Sequence, residues 1–216
     1  MVVRQLQSLL AGIYDVPLAQ DVAQFLLTDR SVLPGALPAT NTEEQLLVAE
    51  DADGVSIGLF LDPAVLERLA EANPLEALNG GNLADYWTAL EGVSHFVYLA
   101  WNAAHDRPVS LLELELQAEI DKYVASFWLL RAQEPRRFPA ELHRVLFEHA
   151  TIDRELAGDR AGLYRRANQY AARFCRRLGR LLRPAGAQAQ ARAMAELRRF
   201  YRFSNAMKLR HIECLA

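Results

Sequence analysis

The chain has 216 residues, 51% of them hydrophobic and 24% charged, with 9 prolines, 11 glycines and 2 cysteines. That composition supports a packed core and excludes collagen, disorder and a disulfide scaffold. The formal net charge of −3 hides a split: residues 1–150 carry 9 Lys/Arg against 22 Asp/Glu, net −13, and residues 151–216 carry 15 against 5, net +10.

The opening MVVRQLQSLLAGIYD has one Arg, is broken by Gln7, Ser8 and Asp15, and is followed by no small-residue cleavage pattern, so no signal peptide is expected. The most apolar stretches, Phe96 to Ala104 and Tyr123 to Leu130, fall short of the roughly 18 residues a membrane helix needs. Cys175 and Cys214 belong to no CxxC or Cys/His grouping. The expectation is a cytoplasmic protein with no membrane partner.

Val3, Leu6, Leu9/Leu10 and Ile13 recur at helical spacing, as do Leu18, Val22 and Phe25/Leu26 after Pro17, which predicts two short helices. A loop through SVLPGALPATNTEE leads to Gln45–Glu50 and Val55–Leu61, joined by Asp51-Ala-Asp-Gly54. The second run alternates as a half-buried strand does, so a hairpin is expected, with Gly54 left-handed. As a calcium loop the same segment fails, because Ala49 and Phe60 would fall where the first and last ligands belong.

Helices follow. Asp62-Pro63 opens one through Ala72, Asn82 caps one from Leu83 to about His105, and Ser110-Leu-Leu-Glu113 is a capping box opening one to about Gln133. Pro139 starts a helix to about Leu156, and Asp159 caps one from Arg160 to Leu182. After Pro184-Ala-Gly186 a segment to about Tyr201 resumes, and Ser204 caps the last. The fold expected is mostly α: a single domain over 1–216, a helical bundle with four long helices, short N- and C-terminal helices and one small β-hairpin at about 45–61. Residues 1–81 supply the N-terminal helices, loop and hairpin, and 82–216 the bundle with its basic last third.

Projection at about 100° per residue asks which polar residues lie on apolar faces. On the helix from Leu83, Glu91, His95, Tyr98 and Asn102 form one polar stripe at i, i+4, i+7, i+11. On the helix from Leu111 the core line is Leu112, Leu116, Ile120, Tyr123, Phe127, Leu130; Glu119 lies about 60° off it, and Glu113 is assigned to the cap. On the helix from Pro139, His149 and Asp153 fall within the apolar face. Glu91, His95, Glu119, His149 and Asp153 are therefore the candidate metal ligands, for a divalent ion inside a bundle. A self-satisfied core network is the competing account, and the ferritin-like Glu-x-x-His spacing is absent.

Arg166, Arg173 and Arg177 flank the stripe Leu163, Ala167, Tyr170, Phe174, Leu178, Leu181 and are the candidate anion-binding residues. Arg198, Arg199, Arg202, Lys208 and Arg210 with Phe200, Tyr201 and Phe203 extend the basic region. Intramolecular or subunit pairing of this flank, for which the acidic helix from Leu111 is well placed, is the favoured account. Cys175, on an apolar face, is expected to be inert. No phosphate-cradling loop or nucleophile elbow is present.

The function favoured on these grounds is a non-enzymatic cytoplasmic interaction or regulatory protein. Its partner would be another protein or a second copy, because the helices from Leu83 and Leu111 have more apolar circumference than one bundle face uses. The alternatives are a metal-dependent helical-bundle enzyme using the Glu/His/Asp set, and nucleic-acid or phosphate binding through the basic C-terminal helices.

Overall fold

The computed structural model describes residues 1–33, 43–51, 54–136, 138–148, 159–183 and 186–214. The fold is mostly α, with a small sheet against one side of the helices. Helix α1 (Val2–Tyr14) buries Val3, Leu6, Leu10 and Ile13 at the predicted spacing and ends at Asp15, whose left-handed φ of 55° lets its N–H return to Ala11. The second predicted helix does not form. Asp21 accepts a hydrogen bond from the Ala23 amide, which starts only a short 3-10 turn over Val22–Gln24, and the Phe25 carbonyl then accepts from the Leu59 amide. The backbone there is committed to a sheet edge instead of a helix.

That edge is β1 (Leu26–Leu27). The hairpin forms as β2 (Glu44–Asp51) and β3 (Gly54–Leu61), in register from Glu44 opposite Leu61 to Asp51 opposite Gly54, and β1 lies parallel to β3 on its other side. The expected hairpin is thus part of a three-stranded sheet of order β1-β3-β2. Residues 52–53, on which the conformation of Gly54 depends, lie outside the described set. Half-burial fails at the end of β3, where Leu59, Phe60 and Leu61 are all buried and the Arg30 guanidinium covers the Phe60 ring at 5.3 Å.

Asp62 caps α2 (Pro63–Glu71) by accepting from the Ala64 amide, as predicted. Asn82 differs from expectation: it makes no side-chain cap for α3 (Leu83–Ala103) and instead holds the preceding loop, accepting from Asn79 and donating to the Ala72 and Ala77 carbonyls. Ser110 does cap α4 (Leu111–Gln133), accepting from the Glu113 amide at 3.3 Å. The Glu113 carboxylate, however, turns inward to accept from the Tyr98 hydroxyl at 2.5 Å, so only half of the capping box is made.

The helix expected from Pro139 starts at Leu142. It is described as α5 (Leu142–Phe147), and residues 149–158 lie outside the described set. The long helices are α3, α4, α6 (Asp159–Leu182) and α7 (Ala187–Tyr201), with α8 (Asn205–Glu213) last. On α6 the buried residues are Ala161, Ala167, Ala171, Phe174, Cys175 and Leu178, whereas Leu163, Tyr170 and Leu181 are half-buried.

Both α3 and α4 are central. α3 packs against α1, α2, α4 and both long strands, and α4 packs against α3, α5 and α6. Their wide apolar circumference is therefore covered within the chain. One connected set of buried side chains runs from Val3 to Ile212. Arg198 and Arg202 of the basic third donate to the carbonyls of Gly12, Ile13, Tyr14 and Asp15, where the end of α1 exposes unpaired acceptors and partial negative charge. Among the described residues, no helix is long and apolar enough to cross a membrane.

Candidate metal centre

Two antiparallel helices meet along matched polar stripes. α3 presents Trp87, Glu91, His95 and Tyr98; α4 presents, in the opposite chain direction, Ser126, Lys122, Glu115 and Glu113. Trp87 Nε1 donates to Ser126 Oγ at 3.0 Å, Lys122 Nζ to Glu91 Oε2 at 3.0 Å, and the Tyr98 hydroxyl to Glu113; His95 Nε2 stands 3.7 Å from Glu115 Oε2. On α4 the residues Glu115, Glu119, Lys122 and Ser126 repeat at i, i+4, i+7, i+11, which is the spacing of Glu91, His95, Tyr98 and Asn102 on α3.

At the middle of this seam Glu91, His95 and Glu115 each offer a ligand atom, all within 4.8 Å of one another. Glu44, the first residue of β2, reaches the other side of the ring, its Oε1 3.6 Å from His95 Nδ1. The sheet approaches this closely because position 92 on α3 is glycine: a Cβ there would stand 2.8 Å from Glu44 Cγ and 2.7 Å from Leu59 Cδ1. Lys122 is held by Glu91 and, at 2.7 Å, by Glu119 Oε1. The interior of the cluster is closed, with side-chain exposures of 8% for His95 and 7% for Glu115; Glu91, at 28%, and Glu119, at 20%, form its solvent edge.

Burial pushes the Glu115 carboxyl up to about 7, with the charges of Glu91 and Glu44 adding to the shift, and burial likewise raises Glu44 and Glu119. For Glu91 burial acts upward too, but Lys122 and His95 outweigh it and its pKa is lowered. Burial would lower His95, yet Glu44, Glu115 and Glu91 around it raise it to about 9. Fully ionised, the four carboxylates exceed the two cations, His95 and Lys122, by two charges. Such an excess in a dry interior is costly unless protons or a cation neutralise it.

A second buried polar cluster on the same helix pair is fully paired. Asp121 accepts from the hydroxyls of Tyr14 and Ser94 and from Gln117 Nε2 (2.7 Å), and Gln117 Oε1 accepts from Lys208 Nζ at 2.7 Å. By contrast, Glu44 Oε1 and His95 Nε2 are buried with no hydrogen-bond partner. Tyr86, Trp128, Arg177, Tyr201 and Asn205 each bury one such atom too; Glu44 and His95 are two that lie in one cluster, Glu44 Oε1 3.6 Å from the His95 ring.

Of the residues singled out from sequence, Glu91 and His95 lie together, Glu119 joins them only through Lys122, and His149 and Asp153 lie outside the described residues. Glu44, Glu115 and Lys122 were not anticipated. Glu115 and Lys122 carry a periodic signal on α4, while Glu44 carries none. Arg166 and Arg173 are exposed and Arg177 is half-buried. Among the described residues, no ion pair joins them to α4. Glu115 and Glu119 of α4 meet His95 and Lys122 instead, so the intramolecular form of the expected pairing, α4 with the arginine flank of α6, is not made among the described residues. Cys175 is buried, and burial pushes its thiol well up, as suits a packed, unreactive cysteine.

Comparison with models of known families, with curated proteins and with solved structures finds no match to this chain.

Proposed function

We propose that the chain is a metal-dependent helical-bundle protein in which Glu91, His95 and Glu115 hold one divalent first-row transition ion. The observation that carries this reading is His95 Nε2: it is buried, neither accepts nor donates a hydrogen bond and stands 3.7 Å from Glu115 Oε2 within the Glu91/His95/Glu115 group, while the neighbouring Asp121 cluster is closed. Glu44 would accept from Nδ1–H, leaving Nε2 to bind the ion; a carboxylate behind a ligating histidine commonly sets its tautomer in this way. One imidazole with two carboxylates suits Mn²⁺, Fe²⁺ or Zn²⁺.

Three protein ligands leave coordination positions for water, as catalytic sites do and closed structural sites do not. With water in those positions, the chemistry that the three ligands would support is activation of a bound water. The test is titration of metal-free protein with Mn²⁺, Fe²⁺ under anaerobic conditions, and Zn²⁺, together with water-proton relaxation of the Mn²⁺ form. One ion per chain, at least 100-fold weaker in His95→Ala, with enhanced relaxation from an inner-sphere water, is the expected result. Failure of all three ions to bind would overturn the reading, and binding without enhanced relaxation would remove its catalytic part.

A further inference from the structure

Lys122 is out of place beside a cation site, because an ammonium there repels the ion. Yet its position is closely specified. It rises from α4 one turn beyond Glu119, its side chain is 10% exposed, and its nitrogen lies 3.0 Å from Glu91 Oε2 and 2.7 Å from Glu119 Oε1. Glu91 also contributes an oxygen to the Glu91/His95/Glu115 group. One carboxylate thus faces two cation positions. The first is bounded by His95 and Glu115. The second is bounded by Glu119, and the Lys122 ammonium fills it.

The second position has the ligand types a further divalent ion would use: a carboxylate shared with the first site, a terminal carboxylate and an open edge. With the ammonium there, one of the two positive charges such an ion would supply is already present. We propose that Lys122 stands in for the second cation of a carboxylate-bridged pair and so restricts the centre to a single ion. The inference rests on Glu91, His95 and Glu115 being the ligands of the first ion. It assigns the site to one-ion activation of water and away from chemistry that needs two ions clamping one substrate.

The experiment counts Mn²⁺ bound to the full chain by equilibrium dialysis and reads its EPR spectrum. Wild type is expected to hold one ion with an uncoupled six-line spectrum. Lys122→Met, which keeps the apolar stem and removes the charge, is expected to hold two ions with an exchange-coupled spectrum. Adding Glu119→Gln to that variant should return the count to one. If Lys122→Met loses its helical circular dichroism, Lys122→Gln serves the same purpose, since its amide can still donate to a carboxylate. Two ions in wild type, or a single uncoupled ion in the folded uncharged variant, would overturn the proposal while leaving the first site intact. A wild-type chain that binds no Mn²⁺, Fe²⁺ or Zn²⁺ would instead remove the reading beneath it.

Discussion

Gly92 of α3 lies so close to Glu44 of β2 that the carboxylate oxygen Oε1 would be 3.0 Å from a Cβ at that position. Two effects compete in Gly92→Ala. Alanine in a helix interior gains roughly 0.5–1 kcal/mol over glycine, and forcing a methyl into packed surroundings costs about 1–3 kcal/mol. Because the clash involves Leu59 and the Glu44 stem as well as its flexible end, the cost wins, and net destabilisation of about 1 kcal/mol is expected in urea unfolding. Displacing Glu44 also removes the group that orients His95, so ion affinity should fall about 10-fold or more. A variant that is more stable and binds the ion as wild type does would show that Glu44 retreats freely.

Bound metal should stabilise the fold, since the ligands come from α3 and α4 and are assembled only in the native state. At free ion of about 100 times Kd the gain is about 2.7 kcal/mol, which for a domain of this size is a rise in Tm of about 5–10 °C. His95→Ala should abolish that increment while still unfolding cooperatively. Thermal unfolding with and without Zn²⁺ or Mn²⁺ checks it, and an equal rise in both proteins would place the ion elsewhere.

How much of this centre could be read from sequence follows from which helices carry it. The stripe Glu91, His95, Tyr98, Asn102 stood out because α3 is otherwise so apolar. On α4 the leucine line draws attention to one face; Glu119 is legible at its edge, while Glu115, Lys122 and Ser126, which share its stripe, are not. α4 has almost no solvated side: α3, α5 and α6 surround it, and Gln117, Asp121 and Lys122 are all buried. Burial on several faces erases the contrast on which projection depends. Glu44 and Lys208 come from distant parts of the chain and enter the interior through sheet and helix docking, which periodicity does not encode. The β2–β3 hairpin, the caps at Asp62 and Ser110 and most helix limits depend on local chemistry and are readable for that reason; β1, which forms only by docking on β3, is not.

Tyr98→Phe isolates the hydroxyl that serves Glu113. The ring keeps its packing on Tyr201, with centroids 5.0 Å apart, so the change deletes one hydrogen bond to a buried carboxylate. Leaving such an acceptor short of a donor costs about 1–3 kcal/mol. Equilibrium unfolding should show that loss with ion affinity little changed, because Glu113 lies outside the Glu91/His95/Glu115 group. A loss of ion binding to match the loss of stability would mean that the two clusters act as one network.

Lys208 makes the pH dependence of stability a test of the interior. Its nitrogen lies 4.2 Å from the centre of the Tyr98 ring, 5.2 Å from that of Phe200 and 5.8 Å from that of Tyr201, and it donates to Gln117 Oε1. Burial pulls the amine down to about 7; Arg107 acts the same way, and Glu113 and Asp121 oppose it. The unfolded chain keeps the ordinary lysine value near 10.5. Between these two values the unfolded state holds a proton that the folded state has released, so the Lys208 contribution to stability rises with pH across the window and is flat below about 7, where both states are charged. The rise is bounded at about 1.4 kcal/mol per pH unit. Asp121, raised by burial to about 6, acts in a separate window: between its ordinary value and 6 the folded state holds the extra proton, and stability falls as pH rises. Lys208→Met removes the upper slope and leaves the lower one. Urea unfolding of both proteins at pH 7, 8 and 9 should therefore give curves that diverge, with wild type gaining on the variant at each step. Parallel curves would mean that the ring faces hold the amine in its charged form throughout.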